Sequence, residues 1–386
     1  MESINFLSLL FSIFFFIQSH LSLSSPIFLP LSIDPLTHQH LTLLFHTPQL
    51  SPINLVFDLN SPFLSLGVSG CSLNESFIPH RSIQCSAARS DPSGPLDERC
   101  TVSVKNPVTG KTVVGELVHG LVAVNNRISA VDGFVYVSAP SVLLAGLSNS
   151  ARGVLGLGRN RIGVAEQVTH QFGLSKKFSV CLSSSNNGVV LFGENHLIEV
   201  SNSMVYTPIL MGNDNSYQIN FKSLKVQDKK LPLLLHQSSS IKISTISPYT
   251  LTKPEIYKEL IKAFSTEAEK TGMNRVNPIG QFELCYEAKE FKKVPVIDLV
   301  LQSEMVKWRI YGQNSMVKVN DKVMCLGILD GGEELEASIV MGSHQMEDNL
   351  VEFDLGRSMI GFSSLGMKKT SCSQLSSLVH NDVQSL

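Results

Sequence analysis

Apolar runs of strand length, bounded by Gly, Pro, Asn or Ser, recur from about residue 40 to residue 354, the pattern of a chain built from strands rather than long helices. Leu41–Phe45 and Ile53–Phe57, separated by His46-Thr47-Pro48, predict a hairpin, and Phe63–Val68 a third strand. Thr112–Leu117, Leu121–Val124 and Phe134–Val137 follow. Val154-Leu155-Gly156-Leu157-Gly158 then reads as an apolar strand ending in glycines, with a helix over Val164–Phe172 and a strand pair at Phe178–Leu182 and Val189–Phe192. The second half repeats the rhythm at Tyr217–Phe221, Leu224–Val226, Ile241–Tyr249, Val296–Leu301, Val306–Tyr311, Met324–Leu329, Ser338–Met341 and Leu350–Asp354. The clearest helical period lies between Thr252 and Thr271, where Ile256, Leu260, Ile261 and Phe264 form one stripe. Thr252 is the expected N-cap, Pro254 suits the first turn and Gly272 ends the helix. Gly70–Arg99 has little period and reads as a disulfide-bearing loop, and the polar stretch from Ser373 onwards is expected to lack fixed structure.

Two of these strands share a design. Ile53–Pro62 delivers a carboxylate, Asp58, into a turn, and Lys242–Tyr249 enters a similar turn with Ser244 at its tip. Each is followed by a strand ending in glycine, Gly156 after the first and Gly342 after the second. One such pair is common; two in the same order and at comparable separation argue for duplicated lobes. The length of 386 residues also exceeds what one core usually serves. The expected organisation is a signal segment over 1–24, an N-terminal lobe over 25–200, a C-terminal lobe over 201–372 and a polar tail over 373–386.

Composition narrows the chemistry. The chain is 43% hydrophobic and 17% charged, with 26 Gly and 17 Pro, and its formal net charge is -2. Those values suit a folded, strand-rich protein. Without a run of Lys or Arg there is no footprint for nucleic acid. Phe6–Ile17 is an apolar run too short for the roughly 20 residues of a membrane helix, and Ser22-Leu23-Ser24 offers small residues for cleavage. A secreted chain with no membrane span is the expectation, and Asn74-Glu75-Ser76 is its glycosylation sequon. Secretion makes Cys71, Cys85, Cys100, Cys181, Cys285, Cys325 and Cys372 disulfide candidates, an odd set. None has metal-ligand spacing, so no metal and no cofactor are expected. His38 and His40 are read as solvent-facing.

Several longer motifs resemble the pepsin-like aspartic protease fold, and within it the group of plant extracellular glycoproteins, basic 7S globulins and xylanase inhibitors. They are Gly153–Ile162, Lys177–Ser183, Lys242–Thr250, Ile297–Ser303, Val323–Gly327 and Gly342–Val351. The resemblance covers about residues 30 to 372 and implies an all-β, bilobal fold with a few short helices. It also implies Cys285–Cys325 and Cys181–Cys372 pairing, and a first lobe weakened by cysteines that relatives have and this chain lacks.

Aspartic proteases need two carboxylates sharing one proton. Here Asp58-Leu59-Asn60 keeps the acid and loses the hydroxyl and Gly of the Asp-Thr/Ser-Gly turn. Ser244-Thr245-Ile246 keeps a hydroxyl and loses the acid. Asp58 and Ser244 are therefore vestigial positions, and catalysis is expected to be lost; the Val102–Leu117 segment also lacks the Tyr of active relatives. Asp354, in Phe353-Asp354-Leu355-Gly356, echoes the first tip but belongs to a closing strand. Gly156-Leu157-Gly158 does not continue as a dinucleotide fingerprint, and there is no Gly-x-Ser-x-Gly.

The resemblance implies a proteinaceous inhibitor of secreted microbial glycoside hydrolases, a xylanase or a xyloglucan-specific endoglucanase. Its contact candidates are Glu333, Glu334, Leu335 and Glu336. The alternatives are a binding or storage globulin without inhibitory activity and an atypical endopeptidase using Asp58 alone. An acidic loop would repel an acidic glycosidase cleft, and a solvated hairpin is the plainer reading of it.

Overall fold

The computed structural model describes residues 27–46, 51–67, 76–89, 98–124, 129–185, 187–194, 204–210, 215–234, 239–288, 294–364 and 371–377. The expected signal segment, Cys71 and Asn74 lie outside them.

The alternating strands of the first half pair as their turns dictate. His40–His46 and Ser51–Asp58 form the expected hairpin, with Leu41 opposite Val56 and Leu43 opposite Asn54. Thr112–Val124 is one continuous strand where the sequence suggested two, irregular only between Gly120 and Val122, and it pairs with Ser129–Ala139. Among the described residues, fourteen strands join into one sheet. Its middle brings the halves together: Lys177–Cys181 pairs on one side with Gly188–Phe192 and on the other with Asn349–Asp354. Both faces of these strands are covered, which is why they read as unbroken apolar runs. Phe178 stacks on Phe353 at 4.7 Å between ring centroids, and Tyr217 packs 4.5 Å from Phe353.

The second half adds three smaller sheets. Met324–Leu329, one run in the sequence, divides between two of them: Val323–Leu326 pairs with Cys285–Glu287, and Ile328–Asp330 pairs in parallel with Thr250–Thr252. The helix Pro254–Lys270 buries Ile256, Leu260 and Phe264. Its N-cap is Lys253, without a side-chain cap bond, because Thr252 is already committed to a strand. Gly272, at φ +76°, closes the helix in the left-handed region that glycine tolerates.

Three expectations need correction. Gly70–Arg99 is not wholly irregular: Ile83–Ala88 is a short helix capped by Ser82, and Cys85 and Ala88 enter a core cluster. Residues 372–377 are helical, and Leu375 is buried with Cys372 against Phe28 and Leu191. His40 is not solvent-facing but 2% exposed, while His38 is exposed. Position 40 opens a strand in the middle of the sheet, so an imidazole there has core on its side of the pleat.

Burial holds the His40 imidazole neutral, lowering its pKa from 6.5 to about 4. The unfolded chain therefore binds the proton more readily. His40's contribution is complete above pH 6.5 and disappears as pH falls towards 4. Each unit is worth about 1.4 kcal/mol, so about 3 kcal/mol of stability is expected to be lost over that window. Urea titrations at the two ends should show it, and His40→Leu should flatten the slope; an unchanged slope would remove His40 as the cause.

Candidate functional site

Each half builds its tip in the same way. Ser51–Asp58 runs parallel to Ala151–Gly156, with Asp58 opposite Gly156, and Leu64–Gly67 returns antiparallel on the other side of the same strand. Ser240–Ile243 runs parallel to Ile339–Met341, and Thr250–Thr252 returns on its other side. The tip loop thus arches over the end of the strand it embraces. That explains the glycines: a Cβ on Gly156 would collide with the carbonyl oxygens of Ser61 and Phe63, and one on Gly342 with the backbone of Tyr249.

The first tip is held by its own carboxylate. Asp58 Oδ1 accepts from the Asn60 amide at 2.9 Å, and Oδ2 accepts from the Ser61 amide at 3.0 Å and the Ser61 hydroxyl at 2.6 Å. At 3% exposure, burial pushes the Asp58 pKa up against the pull of these donors and of Lys242. At the second tip, Ser244 Oγ accepts from the amides of Ile246 and Ser247, both at 3.2 Å. The serine hydroxyl takes over the turn-closing bonds of a carboxylate without its charge or its proton chemistry. Backbone shape is kept where the acid is missing.

The tips also grip each other. Thr245 Oγ1 donates to Phe57 O at 3.0 Å and accepts from Leu59 N at 3.2 Å. The reciprocal bond comes from Asn60, whose Nδ2 donates to Ile243 O at 3.0 Å. The bracing expected to be lost with Leu59 is thus supplied one residue later, by an amide where a glycine was expected. Asn60 Oδ1 has no hydrogen-bond partner and is buried. The asymmetry predicts unequal mutants. Thr245→Val strands a buried N–H and a buried C=O and is expected to cost about 2–4 kcal/mol. Asn60→Ala takes one donor from the Ile243 carbonyl but removes an orphaned oxygen with it, and should cost less than about 1.5 kcal/mol. Denaturant midpoints compare them, and equal losses would refute the account.

Asp58 and Ser244 line one cleft of about 720 Å³, covered by the hairpin whose strands are Thr101–Lys105 and Thr112–Val124. The 333–336 loop forms part of its wall. Glu333 and Glu334 are exposed and Leu335 half-buried. Glu336 reaches across the opening: Oε1 meets Lys105 Nζ at 3.0 Å and Oε2 meets Lys242 Nζ at 2.6 Å. Those bonds, Lys242 first, pull the Glu336 pKa down to about 2. The sequence reading named the glutamate and missed both lysines. Lys242 was within reach, because two residues before Ser244 on a strand it shares a face with the tip. Lys105 lies 231 residues from Glu336, and no local pattern links them.

The other named positions lie elsewhere. Asp354 stands opposite Lys177 in the central sheet, with Lys177 Nζ 3.9 Å away and the Arg357 amide donating to it. Cys181 is bonded to Cys372, Cys285 to Cys325, and Cys85 to Cys100. Among the described residues no group of three or more His, Cys, Asp and Glu is arranged to hold a metal. None of their helices is long and apolar enough to cross a membrane.

Two family models match this architecture, each containing one of the two tips. The one described as xylanase inhibitor N-terminal matches residues 46–194, and the one described as xylanase inhibitor C-terminal matches 216–364. The chain belongs to this family. It is 34% identical to a probable aspartic proteinase GIP2 of Nicotiana benthamiana, over 89% of this chain and 90% of that protein. The crystal structure of edgp superposes with a TM-score of 0.83 at 34% identity, covering 91% of this chain and 98% of that one. The structure of conglutin gamma, a basic 7S globulin from lupine seeds, gives 0.81 at 30% identity, covering 91% and 98%. An aspartic proteinase from Irpex lacteus matches at 14% identity with a TM-score of 0.62, covering 88% and 97%, a likeness of fold alone. The xylanase-inhibitor family member described here is thus an all-β, bilobal protein with the pepsin-like aspartic protease fold.

Proposed function

We propose that the protein is a secreted, proteolytically silent binding protein that inhibits a microbial glycoside hydrolase, a xylanase or a xyloglucan-specific endoglucanase. One observation carries the silent part. Of the two tips lining the cleft, one presents Asp58 and the other Ser244. A hydroxyl does not titrate near neutral pH, so Asp58 has no partner at the facing tip with which to share a proton. The inhibitor part rests on the family and on the exposed edge of the 333–336 loop. Glu336 is turned towards two lysines, leaving Glu333 and Glu334 as its outward charges.

A second reading, a binding or storage globulin that inhibits no enzyme, is favoured by the relative described as conglutin gamma. Titration of the purified protein against a fungal xylanase and a fungal xyloglucan-specific endoglucanase separates the two, with protein cleavage assayed in parallel. Saturable inhibition without cleavage supports the inhibitor. No inhibition of either enzyme leaves the globulin reading. Pepstatin-sensitive cleavage would overturn both and restore Asp58 as a working acid.

A further inference from the structure

The Glu336 bridge has two unequal halves. Lys242 is 16% exposed, on a strand paired in parallel with Ile339–Met341, and Lys105 ends the covering strand. Asn106, next to Lys105, is fully buried. Its side chain accepts from the amides of Val108 and Thr109 and donates to the carbonyls of Leu143 and Ala145. Asn106 thus fixes the backbone beside Lys105, whose side chain is 59% exposed, and Lys242 is the more enclosed of the two lysines. The Glu336 side chain is 54% exposed, so its carboxylate can leave for water with its charge hydrated. Exposed ion pairs of this kind are weak. Lys242 is the permanent part of the arrangement, Lys105 is carried to it on the covering strand, and the carboxylate is the exchangeable part.

We infer that Lys105 and Lys242 form a carboxylate-recognition position in the cleft, that Glu336 is its internal occupant, and that an acidic side chain of an extended peptide segment replaces it. The rest of the wall fits a peptide. Pro62, Pro107, Val108, Ile246, Leu251 and Leu335 flank the position with apolar surface. Among the described residues that line the cleft there is no Phe, Tyr or Trp to offer sugar rings a stacking platform. Glu336 also ties the covering hairpin to the strand that carries the second tip, and an internal competitor weakens apparent affinity by the fraction of time it occupies the site. The inference stands apart from glycoside hydrolase inhibition, since that reading concerns the outer edge of the loop.

The test is fluorescence polarisation with fluorescein-labelled hexaglutamate on the full-length protein, at low and at physiological salt. Glu336→Gln is expected to bind the probe at least about fivefold more tightly than the unaltered protein. Lys242→Met and Lys105→Gln, each made in the Glu336→Gln background, are expected to lose that gain. Labelled hexaglutamine should not bind. Lysine variants are compared only if they unfold at the parent temperature, and using two of them protects the test against one that fails to fold. Unchanged affinity in Glu336→Gln overturns the inference, as does full binding after removal of both lysines. Trigalacturonate competing as well as unlabelled hexaglutamate would overturn the assignment to peptide.

Discussion

Ser244→Asp is expected to raise the protein's acid peptidase activity well above its level with serine. The backbone is already prepared: the amides of Ile246 and Ser247 that now donate to Ser244 Oγ are the counterparts of those of Asn60 and Ser61, which donate to Asp58. An aspartate at 244 inherits both bonds, and the cross-grip of Thr245 and Asn60 keeps the tips facing. Two carboxylates in one cleft then share a proton, one taking it from water and the other giving it to the substrate carbonyl. Losing one such group usually costs about 10²–10⁴-fold, so regaining it should raise cleavage of a fluorogenic peptide at about pH 4 by at least about 10²-fold. The gain should be pepstatin-sensitive and abolished by a further Asp58→Asn. The cost appears as a pH trend. A second buried carboxyl whose folded pKa is raised stabilises below its unfolded pKa and loses that contribution as pH rises through the folded value. The variant should therefore melt progressively earlier than the parent above about pH 4. Folded protein with both tip carboxylates and no cleavage would show that Ser244 is not what silences it, leaving the covering hairpin and its bridge to Glu336 as the obstacle.

How far the sequence carried this site follows from which forces act locally. The strands were legible because half-buried or fully buried strands must alternate or run apolar, and the tip glycines because a loop crossing a strand end excludes a Cβ. Gly156 and Gly342 therefore read correctly even though the contacts behind them did not. That a hydroxyl stands at Ser244 where a carboxylate was expected was legible from the residue alone. That the hydroxyl would keep the turn was not, because the sequence shows which atoms are present and not which amides they meet. Asn60 read as a lost glycine, whereas in space its amide reaches Ile243 O and restores the grip. His40 shows the converse error: a polar residue at the start of a strand looks exposed until the strand's place inside a fourteen-stranded sheet is known. Glu336 was singled out for its charge, and that charge is balanced by residues 231 and 94 positions away.

Replacing Cys181 and Cys372 together by alanine is expected to be the most damaging of the three possible disulfide removals. In the chain-entropy model, stabilisation grows with the logarithm of the loop closed. Cys181–Cys372 spans a separation of 191 residues, Cys285–Cys325 of 40 and Cys85–Cys100 of 15. The model then gives about 5, 4 and 3 kcal/mol. Packing widens the gap. Cys285 and Cys325 lie directly opposite each other on paired strands, so sheet hydrogen bonds hold them together when the bridge is gone. Cys372 belongs to no sheet. Its short helix is held by the bridge, by the burial of Leu375 against Phe28, Leu191 and Leu350, and by its amide donating to Asp348. Asp348 in turn lies just before Asn349–Asp354, the strand through which the second half joins Lys177–Cys181. Loss of the bridge should therefore free the last helix first and then weaken the junction between the halves. Denaturant titrations should show the largest midpoint shift for this pair, and hydrogen exchange should quicken at 349–354 before it quickens at the two tips. Equal shifts for all three pairs would mean that native packing, and not closure of the chain, sets what each bridge contributes.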